Sequence, residues 1–280
     1  MKLVFRVCTA AMLLLFSGMS VYASSIVFSA SGGSPGAIQT TVDAFRTALG
    51  TLNPNVAGSF GSGRREINWD GVPDAASAPN NLPPNFFNVN SPRGVVFSTP
   101  GTGFQVSANA GVQPIEFDTI NPTYSASFQT FSPQRLFTAL GSPITDVDFF
   151  IPGTTTAAFT SGFGAVFTDV DLPNTTAIQF FDTQNNAVGL PFFAPVANNG
   201  LSFVGVLFDA GETIGRVRIT SGNSALGAGI NDAPPTTDLV VMDDFIYGEP
   251  TSTPEPSTWI LLGSGLALIF VARAHRVLAK

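Results

Sequence analysis

Carboxylates and arginines carry nearly all the ionisable chemistry of this 280-residue chain. Its one histidine, His275, and one cysteine, Cys8, lie near opposite ends, and lysine occurs only at Lys2 and Lys280. From Ser24 to Thr253 the chain therefore has no histidine, cysteine or lysine. Their absence from that stretch excludes a Ser-His-Asp triad, a Cys-His dyad, a histidine-based zinc site and a Schiff-base lysine there. What remains is the chemistry of carboxylates, hydroxyls, amides, guanidinium groups and aromatic rings.

Three groupings of those residues stand out. Thr145-Asp146-Val147-Asp148 recurs as Thr168-Asp169-Val170-Asp171. In an extended chain the two aspartates of each pair share a face with Cα atoms about 7 Å apart. Such pairs are candidate calcium ligands, since Ca²⁺ takes several oxygen donors including backbone carbonyls; solvated aspartates at strand ends are the plain alternative. Asp243-Asp244 interrupts the apolar run Leu239 to Tyr247. In a regular strand one of these two must face the core and be paired, bonded to amides or bound to a metal. Arg216 and Arg218 are its candidate partners, and a bulge is the alternative. Third, Trp69 stands beside Arg64, Arg65, Glu66, Asn68 and Asp70. An aromatic face with planar polar neighbours is the composition of a sugar site, so Trp69, Arg65, Glu66, Asn68 and Asp70 are candidate glycan contacts. The competing reading is a core tryptophan with a salt bridge and a turn beside it.

Short strands must position these residues. The chain is rich in Phe (26), Gly (28) and Pro (21), with only 11% charged residues. From Arg93 onward short alternating runs recur between turn signals, including 94–99, 103–108, 115–117, 125–131, 146–151 and 157–159. They continue at 165–170, 176–182, 187–193, 201–209, 216–220 and 239–247, with a hairpin loop at 183–186. A first strand is expected at Ile26-Val27-Phe28 and another at Glu66 to Trp69, closed by an Asp70-Gly71 turn. Ile38, Val42, Phe45 and Leu49 recur at helical spacing ahead of Gly50, a suitable C-cap. The proline-rich stretch 73–92 reads as a long loop tied down by Phe86 and Phe87. The expected fold is all-β: an antiparallel β-sandwich of jelly-roll type with one short helix.

Charge narrows the partners. Between Ser24 and Thr253 there are seven arginines and eighteen acids, 7 − 18 = −11. No cluster of cations is available to neutralise phosphates, so nucleic acid is not an expected partner. At the N-terminus, Lys2 and Arg6 precede an apolar stretch, and Val21-Tyr22-Ala23 supplies the small residues of a cleavage site, which defines a signal peptide at 1–23. Export through the Sec machinery follows. An extracytoplasmic domain then spans 24–250.

The last segment, 251–280, has three parts: Pro254-Glu255-Pro256, an apolar run 258–272 opening with Thr258-Trp259, and a basic end, 273–280, with Arg273, Arg276 and Lys280. Fifteen residues of helix reach about 22 Å, short against a hydrocarbon core of about 30 Å. Trp259 at one interface and snorkelling cations at the other extend that span and place the C-terminus in the cytoplasm. In its order of parts the segment resembles the PEP-CTERM sorting signal of exported bacterial proteins, also known as an ice-binding protein C-terminal domain. The resemblance implies recognition by an exosortase-type membrane enzyme near Pro254, Glu255 and Pro256. It also implies transient residence in the inner membrane and a Gram-negative host that makes exopolysaccharide. The body resembles modules carried by such tails through Arg65-Glu66-Ile67-Asn68-Trp69-Asp70-Gly71, Gly162-Phe163-Gly164-Ala165-Val166-Phe167 and Asp243-Asp244-Phe245; this implies a fold and no activity.

The expected function is accordingly that of a non-enzymatic protein of the cell surface or extracellular matrix. It would associate with exopolysaccharide and contact glycan, with no organic cofactor and with calcium as the candidate ion. Two alternatives stand beside it. One is a carboxylate-only glycoside hydrolase or lyase, with Glu66, Asp70 or the Thr-Asp-Val-Asp acids as acid and base. The other is an ice-binding protein, implied only by the tail's alternative label, since Thr154-Thr155-Thr156 is too short for a regular threonine array.

Overall fold

A computed structural model describes residues 25–108, 116–209 and 211–252. The expected signal peptide, the Pro254-Glu255-Pro256 motif and the membrane helix lie outside the described residues. Twelve strands and two helices follow in chain order: β1 (Ser25–Gly32), α1 (Pro35–Leu49), β2 (Arg64–Ile67), α2 (Phe86–Val89), β3 (Val95–Ser98), β4 (Gly103–Val106) and β5 (Phe137–Leu140). The remainder are β6 (Ile144–Phe149), β7 (Gly162–Val170), β8 (Ala177–Asp182), β9 (Ala187–Phe193), β10 (Ala197–Phe208), β11 (Ile214–Thr220) and β12 (Val241–Gly248).

The strands form two antiparallel sheets. The larger runs β1-β10-β7-β12-β5-β4, with β2 paired to β12; the smaller runs β3-β6-β11-β8-β9. Within them β5-β12-β7-β10 faces β6-β11-β8-β9, the two four-stranded halves of a jelly roll, wound from eight consecutive strands. Period-2 alternation dictates the layers. Val147, Phe149, Val217 and Ile219 turn inward and join Phe97, Phe137, Phe163, Phe245 and Tyr247 in one core. Many of the phenylalanines are spent here, as tilted and edge-on ring pairs.

Helix α1 starts with Pro35 at its first turn and buries Ile38, Val42, Phe45 and Leu49, the face expected from their spacing. Gly50, at φ +100°, ends it. The helix lies on the outer face of the larger sheet, against Val166, Leu201, Phe203 and Ile246. Gly164 of β7 pairs with Gly205 of β10, and a Cβ on either would meet the Phe45 ring at 2.8–3.0 Å. Two facing glycines thus open a notch in the sheet into which the helix seats its phenylalanine.

Three strand expectations are corrected. Residues 125–131 are a one-turn 3-10 helix, Tyr124–Ala126, followed by irregular chain. Their amides are used by side chains instead of a neighbouring strand: Gln129 N–H donates to Thr168 Oγ1 and Phe131 N–H to Asp243 Oδ2. Residues 157–159 make only isolated bridges, and β2 ends at Ile67, not at Trp69. Of 115–117, the described Glu116 makes a single bridge to Ala108. Residues 73–92 are indeed tied down by Phe86 and Phe87, both buried, within the short helix α2.

Candidate functional site

The Trp69 grouping is dispersed by the fold. Trp69 follows β2 at φ +65°, a backbone region unusual for a bulky residue; its carbonyl accepts from the Val72 amide, while the Asp70 amide donates to the Asn68 carbonyl. This twist drives the indole inward. It is 1% exposed, stacks on Phe137 at 4.1 Å with ring planes 2° apart, and donates Nε1–H to the Asp243 carbonyl at 2.7 Å. A ring enclosed this way has no free face for a pyranose, so the expected sugar platform at Trp69 is corrected to a core anchor. Arg65 is likewise fully buried and donates to Glu249 at 2.6 and 2.9 Å and to loop carbonyls of Gly58 and Pro92. Glu66 accepts from Arg46 and Arg64. Asn68 is exposed, while Asp70, its hydrogen-bond partner at 3.0 Å, and Glu66 are half-buried.

Asp243 and Asp244 lie at a shift of register between β12 and β7, so the bulge alternative is the one realised. Both carboxylates are buried, and neither meets Arg216 or Arg218. Asp243 Oδ2 accepts from the amides of Phe131 (2.6 Å) and Ser132 (3.2 Å), while Asp244 accepts from Ser132 Oγ and from Arg46 Nη2 at 3.0 Å. Burial, reinforced by the adjoining Asp244 charge, pushes the Asp243 carboxyl well above the usual carboxylate range. This pair is a structural lock between α1, β12 and the 131–132 turn. Its donors are protein groups, which corrects the calcium expectation for Asp243 and Asp244.

Arg216 and Arg218 instead belong to Asp146. Cross-strand register puts Asp148 opposite Arg216 and Asp146 opposite Arg218, all on the outward face of the smaller sheet. Arg216 nevertheless reaches diagonally to Asp146 Oδ1 (2.6 Å), and Arg218 binds the same carboxylate through Nε (2.9 Å) and Nη2 (2.8 Å). Two guanidinium groups occupy Asp146, whereas Asp148 takes neither arginine.

The second Thr-Asp-Val-Asp repeat behaves differently. Asp169, at φ +68°, leaves the strand geometry, and its carboxylate converges with those of Asp171 and Asp232, with oxygens within 4.8 Å of one another. Asp238, fully buried, adjoins them and accepts from the amides of Asp171 and Leu172 and from Thr175. Both carboxylate oxygens of Asp171 are shielded from solvent and lack a hydrogen-bond donor. Burial first, then the neighbouring acids, pushes Asp171 up to about 7; burial pushes Asp169 up to about 6. This is the group of three carboxylates among the described residues with the geometry to hold a cation, and oxygen-only donors suit calcium. Asp232 and Asp238 are distant in sequence from Asp171, and only the fold shows that they belong with it.

A cavity of about 590 Å³ opens at the edge of the smaller sheet between β6, the β8–β9 hairpin and β11. Asp148, Asp182, Gln184, Asn185 and Arg216 border it.

Residues 252–276 match the PEP-CTERM protein-sorting motif. A chain with this tail is an exported protein, anchored in the membrane before processing and recognised by exosortase, a membrane enzyme. The delivered body is a jelly-roll β-sandwich. No curated protein matches the chain. Among solved structures, the bacteriophage CBA120 tailspike protein 4 enzymatically active domain is similar at 14% identity and a TM-score of 0.28, covering 60% of this chain and 20% of that one. The chain spans a fifth of that protein's length, and a likeness at this score carries no argument.

Proposed function

We propose that this is a non-enzymatic protein of the cell surface or extracellular matrix whose β-sandwich associates with the host's own exopolysaccharide. The sorting motif at 252–276 carries the reading, because it ties the body to an export route that ends outside the cytoplasm. The body's composition supports it. A thiol-free domain with a charge of 7 − 18 = −11 between Ser24 and Thr253 is suited to an oxidising exterior and unsuited to polyanions. The non-catalytic part rests on how the acids are used. Glu66 is engaged by two arginines, Asp70 by Asn68 and the Arg135 amide, and Asp146 by Arg216 and Arg218. The test is retention of the full-length protein, in non-ionic detergent, on exopolysaccharide isolated from the host. Retention without release of new reducing ends supports the reading. Absence of retention contradicts the glycan association, and release of reducing ends contradicts the non-enzymatic part.

A further inference from the structure

The outward face of the smaller sheet carries two ordered rows. Val96, Asp148, Arg216 and Phe181 stand side by side across β3, β6, β11 and β8, and Ser98, Asp146, Arg218 and Gln179 form the next row. On the larger sheet the corresponding outer face is covered by α1. Here, instead, two cavities open: the one of about 590 Å³ beside Asp148 and Arg216, and a second of about 350 Å³ bordered by Gln179, Phe181, Phe193 and Arg218.

The use of hydrogen bonds within the rows is lopsided. Asp146 takes both arginines, although Arg216 is directly opposite Asp148 in register. The Asp148 carboxylate, half-buried, is left without a hydrogen-bond donor among the described residues. Arg216 is held rigidly, its guanidinium 3.7 Å above the Phe181 ring and bonded to Asn185 Oδ1. Asp182 is fixed by the Gln184 and Asn186 amides, which shapes the hairpin rim of the cavity. The result is a cavity-bordered face with a free acceptor, side-chain amides at the rim and a guanidinium stacked on an aromatic ring.

From this arrangement we infer that the cavity bordered by Asp148, Gln184, Asn185 and Arg216 is a binding site for a neutral, hydroxyl-rich glycan chain, with Asp148 accepting from sugar hydroxyls. The inference rests on the glycan association proposed above and gives it a location. Charge selects the occupant. Asp146, Asp148 and Asp182 against Arg216 and Arg218 leave this face at 2 − 3 = −1, on a body that is itself acidic. Anionic polymers are therefore repelled. A neutral polyol satisfies the unpaired carboxylate without bringing charge.

The test uses full-length protein in non-ionic detergent and affinity electrophoresis in gels containing dextran, mannan or galactan, with alginate as the acidic polymer. Wild type is expected to be retarded by at least one neutral polymer and not by alginate. Asp148→Asn and, separately, Gln184→Ala are expected to weaken that retardation, Asp148→Asn by about tenfold in apparent Kd. Asp148→Asn removes a charge beside Asp146 and Gln184 is exposed, so both variants should melt with the wild type; circular dichroism checks this. Equal retardation of wild type and both variants overturns the site while leaving glycan association standing. Retardation by alginate alone overturns the neutral occupant. Retardation by no polymer overturns the inference together with the reading it rests on.

Discussion

Asp243 and Asp244 are neighbours in sequence with opposite duties. Asp244 is the counter-charge of Arg46, whereas Asp243 is held by two backbone amides and pushed toward its protonated form by burial and by Asp244. Asp243→Asn keeps an acceptor and removes a charge that the site disfavours, so its effect on stability is expected within about 1 kcal/mol. Asp244→Asn leaves Arg46 with Glu66 and Asp43 only and is expected to destabilise by about 1–3 kcal/mol. Urea denaturation midpoints of the two variants separate these outcomes. At this scale the sequence was partly readable. An acid pair inside an apolar strand demands burial and partners, and that demand is met. The partner's identity was not readable, because Arg46 is 198 residues away and becomes a neighbour only when α1 docks. Trp69 illustrates the same limit. Its polar neighbours suggested an open sugar face, but a positive φ turns the ring into the core, and no local composition encodes that rotation.

Elements were more legible than their contacts. Period-2 alternation marks β6, β8, β9 and β11 closely, and the 3.6 spacing of Ile38, Val42, Phe45 and Leu49 marks α1 and its buried face. The stretch 125–131 departs from strand because its apolar residues are divided, Phe128 packing with Tyr124, Phe117, Leu136 and Leu239 and Phe131 with Phe45 and Ile246, and its amides bond to side chains. Gly164 and Gly205 have no readable purpose until β7 and β10 pair. Then they become the seat of Phe45. Gly205→Val is expected to lift α1 from the sheet and destabilise the protein by about 1–3 kcal/mol or more, with a lower melting temperature. Hydrogen exchange should show lost protection in α1 ahead of the strands of the smaller sheet.

For the whole molecule, acidity and export set the behaviour. Asp169 and Asp171 have folded-state values of about 6 and about 7, above those of an unfolded chain. A raised acid stabilises the fold at low pH and loses that contribution as pH rises through the folded value. In chelator the melting temperature is therefore expected to fall between about pH 4 and about pH 7, and Asp171→Asn to flatten the fall. Calcium, if held by Asp169, Asp171 and Asp232, restores the melting temperature above that window in wild type and not in Asp171→Asn. The body's architecture does not by itself say where it works; the tail does. The most direct measurement is the fate of the full-length protein in a host with exosortase, comparing wild type with a variant in which Pro254, Glu255 and Pro256 are all alanine. The wild-type body is expected outside the cell at reduced length, while the variant stays in the membrane fraction at its unshortened length. Equal delivery of both forms to the exterior would contradict that expectation.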